Sequence, residues 1–137
     1  MKKIHKISFN VYYEDTDSTG FVYHTTYLRF AERARTELLK KSFSDVIEIL
    51  NKDDFFFVVK EIGVNYVKPS FLFDELIVVT YFLGNRIASL DLHQEIVKDK
   101  KIICKIDVKL VLVDKKSKRP MKIPRNIISR FKSMEVV

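Results

Sequence analysis

The chain has 137 residues, of which 47% are hydrophobic and 31% charged, and these values fit one globular domain over residues 1–137. Its net charge of +7 favours anionic partners, although the lysines are too dispersed to form one binding stripe for nucleic acid. A single cysteine excludes a disulfide framework, and the lack of a long apolar run argues against a membrane span or signal peptide, so we expect a cytoplasmic protein.

The first half of the chain predicts one strand and one long helix. Apolar and polar residues alternate over residues 7–13, as in a half-buried strand, and a polar cluster follows at residues 14–20. A helix is predicted from residue 24 to about residue 41, and a shorter one around residues 45–50. The apolar stripe of the long helix consists of Tyr27, Phe30, Ala31, Ala34 and Leu38.

The second half predicts four antiparallel strands and a short final helix that Pro124 opens. Cys104 falls on an apolar face of the last strand, which predicts a buried, inert thiol. One sheet and one long amphipathic helix predict a two-layer α+β architecture in which the sheet wraps the helix. The predicted strands cover residues 55–68, 75–83, 86–98 and 102–113, and the final helix covers residues 125–132.

The segment between the first strand and the long helix carries a distinctive motif. It reads YYEDTDSTGFVYHTTYLRFAERAR over residues 12–35. This motif resembles that of the hotdog-fold acyl-CoA thioesterases, and it is most similar to the YbgC branch of the 4-hydroxybenzoyl-CoA thioesterase family, which is associated with the Tol-Pal system. The resemblance implies a hotdog domain that pairs into a homodimer or homotetramer, with its site at the subunit interface.

The resemblance assigns the catalytic carboxylate to Asp17, which would attack the thioester carbon or deprotonate a water. The alternative for Asp17 is a turn aspartate that binds its own backbone. The neighbouring Asp15 is expected to order the loop through backbone N–H groups. The N–H of His24 would polarise the thioester carbonyl, because amides in a first helical turn lack acceptors. The alternative for His24 is a histidine at a helix start that is hydrogen-bonded to the backbone.

The remaining candidates would bind substrate. Gly20 would let the loop approach the substrate closely, and the two tyrosines would form acyl-pocket walls or core. The resemblance places residues 58–60 of the partner subunit against CoA and Arg86 against its phosphates. A helical glutamate, Glu32, is a weaker candidate for the catalytic carboxylate. The candidate substrate-binding residues are Gly20, Tyr23, Tyr27, Val58, Val59, Lys60 and Arg86.

These residues predict hydrolysis of acyl-CoA to free acid and CoA, with no metal or redox cofactor, since CoA is part of the substrate. The alternative function is a scaffold that binds acyl carrier protein or a lipid enzyme and has little hydrolytic activity. Nucleic-acid binding is not expected, because the sequence lacks an aromatic and basic platform. A hotdog hydratase would need an acid/base pair in a different motif, which the sequence lacks.

Overall fold

Five antiparallel strands and two helices make up the fold in a computed structural model that describes residues 1–44 and 55–136. The strand order across the sheet is β1-β3-β4-β5-β2, and α1 packs against four of these strands. This arrangement confirms the predicted α+β architecture with one long helix. The elements are β1 (Lys2–Asn10), α1 (His24–Ser42), β2 (Phe55–Tyr66), β3 (Glu75–Asn85), β4 (Ser89–Lys98), β5 (Lys101–Asp114) and α2 (Arg125–Ser133).

The first strand differs from its predicted bounds. Regular pairing of β1 with β3 ends at Asn10, so the prediction of a strand over residues 7–13 was wrong at both ends. The chain turns at Tyr13–Asp15 because the Asp15 carboxylate accepts a hydrogen bond from the Tyr12 N–H at 2.9 Å. This local contact replaces a strand-ladder hydrogen bond and bends the chain away from the sheet.

The β3–β4 hairpin turn is also displaced along the chain. Gly84 and Asn85 were predicted to form the turn, but they belong to β3 and pair with β4. A register shift between Phe82 and Gly84 leaves Leu83 as the extra residue of a bulge, and β4 begins at Ser89 instead of residue 86. The predicted short helix at residues 45–50 lies outside the described residues.

The long helix buries the apolar stripe that its sequence predicts. Two alanines, Ala31 and Ala34, are fully buried and let the helix backbone approach the sheet closely. A buried amide, Gln94 of β4, donates hydrogen bonds to the Ala31 carbonyl at 3.0 Å and to the Thr80 hydroxyl at 3.1 Å. Neither described helix combines the length and apolarity needed to cross a bilayer.

Cys104 is a core thiol, as predicted. It is fully buried in β5, and burial raises the pKa of its thiol to about 12. A thiol with this pKa stays protonated at neutral pH and is therefore a poor nucleophile. Within residues 1–44 and 55–136, no three His, Cys, Asp or Glu side chains are grouped as metal ligands.

The final helix closes the core at the end opposite to the start of α1. Pro124 precedes α2 with φ of −57°, as the sequence predicts, and the helix buries Ile127 and Phe131. The Phe131 ring packs against Phe43 at 4.8 Å and against Phe82 at 5.5 Å between centroids. This aromatic cluster holds the C-terminal part of α1 to the sheet.

We expect Ile127→Ala to lower the free energy of unfolding in urea by about 2–5 kcal/mol, because it leaves a cavity in this core. The matched control is Ile87→Ala, because Ile127 is 3% exposed and Ile87 is 76% exposed. The control should change the free energy of unfolding by less than about 0.5 kcal/mol. Equal losses in the two variants would contradict the packing role of α2.

Candidate active site

The loop between β1 and α1 is held by backbone groups around a buried carboxylate. Asp15 is buried, and its side chain binds the Tyr12 N–H as described above. Its carbonyl accepts hydrogen bonds from the Tyr23 N–H at 2.9 Å and from the Thr26 hydroxyl at 3.2 Å. The prediction that Asp15 orders the loop is confirmed, and Asp15 also ties the loop to the first turn of α1.

Asp17 lies at the exposed tip of this loop. Its Oδ1 accepts hydrogen bonds from the Thr19 hydroxyl and from the Thr19 N–H, the latter at 2.8 Å. The Thr19 hydroxyl and then the Thr19 N–H lower the pKa of the Asp17 carboxyl, and the charge of His24 lowers it further. The carboxylate is therefore ionised at neutral pH. Within the described chain Oδ2 has no protein hydrogen bond, so it is available to a reacting group.

Gly20 shapes the return of the loop towards the helix. Its N–H binds the Asp17 carbonyl at 3.1 Å, and its φ is +84°, in the left-handed region. A Cβ built on Gly20 would meet no atom within 4 Å, so the requirement for glycine comes from the backbone angle and not from crowding. The open space above Gly20 leaves room for a ligand beside Asp17.

His24 is the first residue of α1 and is exposed. Its ring contacts Tyr23 at 4.4 Å and faces Tyr66 edge-on at 6.4 Å between ring centroids. Its N–H belongs to the first helical turn, where backbone donors have no intrahelical acceptor. The Asp17 N–H binds the Phe21 carbonyl at 3.0 Å and the Tyr23 N–H binds the Asp15 carbonyl at 2.9 Å, so the loop folds back and places Asp17 near the start of α1. Asp17 and His24 therefore lie on either side of this folded-back segment, and their catalytic roles stay a prediction.

Two tyrosines form the wall behind His24. Tyr27 is buried, and its hydroxyl is hydrogen-bonded to the Ser70 hydroxyl at 2.6 Å. Tyr66, at the end of β2, lies 5.8 Å from the Tyr27 ring and donates a hydrogen bond from its hydroxyl to the His24 carbonyl at 2.9 Å. Tyr66 was not predicted from the sequence, because no local pattern indicates a contact between residues 42 positions apart.

The other candidate residues lie at the opposite end of the sheet. Val58 precedes Tyr66 by eight residues of β2, which is about 26 Å at roughly 3.3 Å per residue. Val58 pairs with Val111 of β5, which pairs with Ser89 of β4, next to the turn that contains the exposed Arg86. Residues 58–60 and Arg86 therefore share one end of the sheet, while Asp17 and His24 occupy the other.

A cavity of about 420 Å³ opens between α1 and β2 at the end that contains Val58 and Val59. Its wall is mainly apolar, and Arg35 and Glu32 of α1 contribute the charged groups. Lys60 follows Val59 at a register shift in β2 and is exposed. Among the described residues, neither Asp17 nor His24 lines this cavity in the same chain.

Comparison with known proteins gives consistent similarities. The sequence profile of the thioesterase-like superfamily matches residues 11–131. The chain is 39% identical to the acyl-CoA thioester hydrolase YbgC of Escherichia coli O6:H1 over 124 residues, which cover 89% of this chain and 91% of that protein. It is 35% identical to the acyl-CoA thioesterase YbgC of Haemophilus influenzae over 121 residues, which cover 88% of this chain and 89% of that protein.

Solved structures share the fold. A probable thioesterase from Bartonella henselae superposes with a TM-score of 0.79 at 27% identity, covering 88% of this chain and 99% of that one. A Staphylococcus aureus protein solved in complex with CoA has a TM-score of 0.84 at 15% identity, and the match covers 100% of this chain and 90% of that one. At this low identity the likeness to the second structure demonstrates the fold alone.

We expect Gly20→Ala to lower the free energy of unfolding by about 1–2 kcal/mol, because alanine is strained at positive φ. Gly63→Ala is the matched control, since Gly63 lies in β2 without positive φ and its added Cβ also meets no atom within 4 Å. The control should be neutral or stabilising, as alanine is favoured over glycine within a strand. Urea denaturation of both variants measures the difference, and equal effects would contradict the backbone requirement at Gly20.

Proposed function

The chain belongs to the thioesterase-like superfamily and has the hotdog fold, and we propose that it hydrolyses acyl-CoA thioesters through Asp17 and the start of α1. The names of the similar Escherichia coli and Haemophilus influenzae proteins support this substrate class. The observation that carries the proposal is an ionised carboxylate, with one oxygen unbound within the described chain, beside a helix start. That pairing supplies a base or nucleophile on one side of a thioester and backbone N–H donors on the other.

Asp17 would act in one of two ways. As a general base, it takes a proton from a water whose oxygen attacks the thioester carbon. As a nucleophile, it attacks that carbon itself, and water then hydrolyses the resulting anhydride. In both routes the carbon–sulfur bond breaks, CoA leaves as the thiolate and takes up a proton, and the acid is released. Both routes require the ionised carboxylate that the contacts from Thr19 favour.

The helix start would stabilise the tetrahedral intermediate. The N–H of His24 is the proposed donor to the oxyanion, and the positive end of the α1 dipole adds to its field. One well-placed donor of this kind contributes roughly 3–4 kcal/mol to transition-state stabilisation. The Tyr66 hydroxyl binds the His24 carbonyl and would hold this first turn in place. The exposed Tyr23 would flank the substrate, whereas the buried Tyr27 supports the wall behind it.

A homodimer would bring the two ends of the sheet together. β2 is an edge strand with exposed apolar side chains: Val59 is 46%, Ile62 43% and Tyr66 47% exposed. Such an edge favours pairing with a second copy of itself. Antiparallel pairing of two β2 strands centred on Ile62 would set Val58 of one subunit opposite Tyr66 of the other.

In this dimer, residues 58–60 of one subunit would lie beside Asp17 and His24 of the other. Lys60 and Arg86 are exposed cations at that end of the sheet and would bind the CoA phosphates. The 420 Å³ cavity beside Val58 and Val59 would accept the acyl chain. The reaction would use only side chains, backbone N–H groups and water, with CoA entering as part of the substrate.

We expect Asp17→Asn to lower kcat on acyl-CoA substrates by about a hundredfold to ten-thousandfold, because asparagine cannot take up a proton or displace CoA. The measurement is release of free thiol from a panel of short, long and aromatic acyl-CoAs, with folding checked by circular dichroism. Hydrolysis at the wild-type rate by Asp17→Asn would exclude the proposed role of Asp17.

Asp114→Asn is a matched control for this measurement. Asp114 is also a turn aspartate whose pKa is lowered, here by backbone and hydroxyl contacts with Ser117. It lies at the end of β5 opposite Phe55, about 10 Å beyond Val58 at roughly 3.3 Å per residue and outside the residues proposed to bind substrate, and we expect wild-type activity from this variant. Absence of turnover by the wild-type protein on every acyl thioester would favour the alternative function, a scaffold for acyl carrier protein or a lipid enzyme.

We expect light scattering to show at least a dimer, and Ile62→Asp to yield a monomer with little hydrolase activity, because two carboxylates would meet at the centre of the paired edge. The control is Leu83→Asp, since Leu83 is 47% exposed but lies in β3, inside the sheet. The control should stay dimeric and active. A fully active monomer would contradict a site shared between subunits.

A further inference from the structure

Arg35 is an unusual component of the cavity between α1 and β2. Most of the wall is apolar and suits the methylene groups of an acyl chain. Arg35 is partly buried in this wall, and loss of solvent lowers the pKa of its guanidinium. The apolar side chains of the cavity are Leu38, Leu39, Phe57, Val58, Val59, Leu90, Leu92, Leu110 and Phe131.

The guanidinium is held in a defined orientation by a buried amide. Arg35 donates a hydrogen bond from one terminal nitrogen to Gln94 Oε1 at 2.9 Å. Both hydrogens of the Gln94 amide nitrogen are used, because Nε2 donates to the Ala31 carbonyl and to the Thr80 hydroxyl. Gln94 therefore cannot turn its oxygen away from Arg35. The network fixes the position of the cation on the cavity wall.

Most donors of Arg35 remain unused. A guanidinium has five N–H donors, and within residues 1–44 and 55–136 Arg35 has Gln94 as its hydrogen-bond partner and no carboxylate within ion-pair distance. Glu32, one turn earlier, raises the pKa of Arg35 by its charge but forms no ion pair with it in this part of the chain. A partly desolvated cation with free donors is costly unless an acceptor is supplied.

We propose that Arg35 binds an oxygen-bearing group, a hydroxyl or a carboxylate, at the distal end of the acyl chain. This inference rests on the proposed hydrolysis of acyl-CoA and specifies its substrate class. A purely hydrocarbon chain would leave the donors of Arg35 unpaired, whereas a terminal oxygen would accept hydrogen bonds from them. Charge-assisted hydrogen bonds of this kind are among the stronger ones in proteins.

The sheet register indicates how far the Arg35 partner Gln94 lies from Val59. Val59 at the cavity edge pairs with Leu110, which pairs with Leu90 of β4, and Gln94 lies four residues farther along β4. Gln94 is therefore displaced from Val59 by about 13 Å along the strands, at roughly 3.3 Å per residue, and by two strand spacings, about 10 Å, across them. In the proposed dimer the thioester lies near Val59. Arg35 would therefore meet the end of a medium-length chain and leave the reacting carbon untouched.

The test compares acyl-CoAs that differ only at the distal end. We would measure kcat/KM for hexanoyl-, ω-hydroxyhexanoyl- and adipoyl-CoA, and for decanoyl-, ω-hydroxydecanoyl- and sebacoyl-CoA. We expect the wild-type protein to prefer an oxygen-terminated substrate at least tenfold over its methyl-terminated counterpart at one of the two lengths. In Arg35→Gln this ratio of kcat/KM values should fall to about one.

Arg33→Gln is the matched control, because Arg33 is exposed on the same helix and its loss removes the same charge. It should retain the wild-type substrate ratio. The ratio is measured within one variant, so a partly unfolded preparation does not alter it. A wild-type preference for methyl-terminated chains at both lengths, or an unchanged ratio in Arg35→Gln, would overturn the assignment of Arg35.

A binding measurement separates this inference from the proposed hydrolysis. S-alkyl-CoA thioethers cannot be hydrolysed, and calorimetry gives their affinities with and without a terminal hydroxyl or carboxylate. If no acyl-CoA is hydrolysed, the proposed function fails, and the thioether affinities alone decide the role of Arg35. A terminal oxygen that strengthens binding in the wild type but not in Arg35→Gln supports it, and equal affinities overturn it.

Discussion

The close packing of α1 on the sheet is the constraint on which the candidate site depends. Ala31 and Ala34 remove side-chain bulk at the contact, and the Gln94 amide binds the Ala31 carbonyl across it. This contact holds the middle of the helix against the sheet. His24 and Arg35, eleven residues apart, therefore stand about 17 Å from each other, at 1.5 Å of rise per residue. One rigid element thus sets the position of the helix start and of the cation on the cavity wall.

Two aspartates in the loop before α1 have different roles: one anchors the loop, and the other is the proposed reacting carboxylate. Asp15 is buried, and its side chain and carbonyl accept hydrogen bonds from backbone N–H groups and a hydroxyl. These bonds fix the loop to the helix start. Asp17 is exposed, and within residues 1–44 and 55–136 its carboxylate accepts hydrogen bonds at one oxygen, both from Thr19. Because Asp15 anchors the loop, the exposed carboxylate of Asp17 is left available for a substrate.

The strand order explains why the proposed binding groups lie far apart within a single chain. Tyr66 and Val58 lie at opposite ends of the same edge strand, so no rearrangement of side chains within one chain can bring them together. Symmetric antiparallel pairing of that edge exchanges its two ends between subunits. A site of this kind couples the proposed catalysis to assembly, because the same strand would supply the interface and the acyl cavity.

The sequence by itself determined the features that follow from the periodic spacing of apolar side chains. The apolar stripe of α1, the strand alternation and the buried Cys104 follow from side-chain spacing, which is local, and the motif around Asp17 indicated the family. The bounds of β1 and of the β3–β4 turn were missed, because the Asp15 side chain and the bulge before Gly84 compete with strand pairing.

Only the tertiary structure decided which distant residues meet. Tyr66 reaches His24 across 42 positions and Arg35 reaches Gln94 across 59, and no local pattern encodes either contact. The separation of Val58 from Asp17 likewise follows from strand order and register. The physical reason is that periodicity reports which face of an element is buried, whereas long-range contacts depend on how the elements are arranged relative to one another.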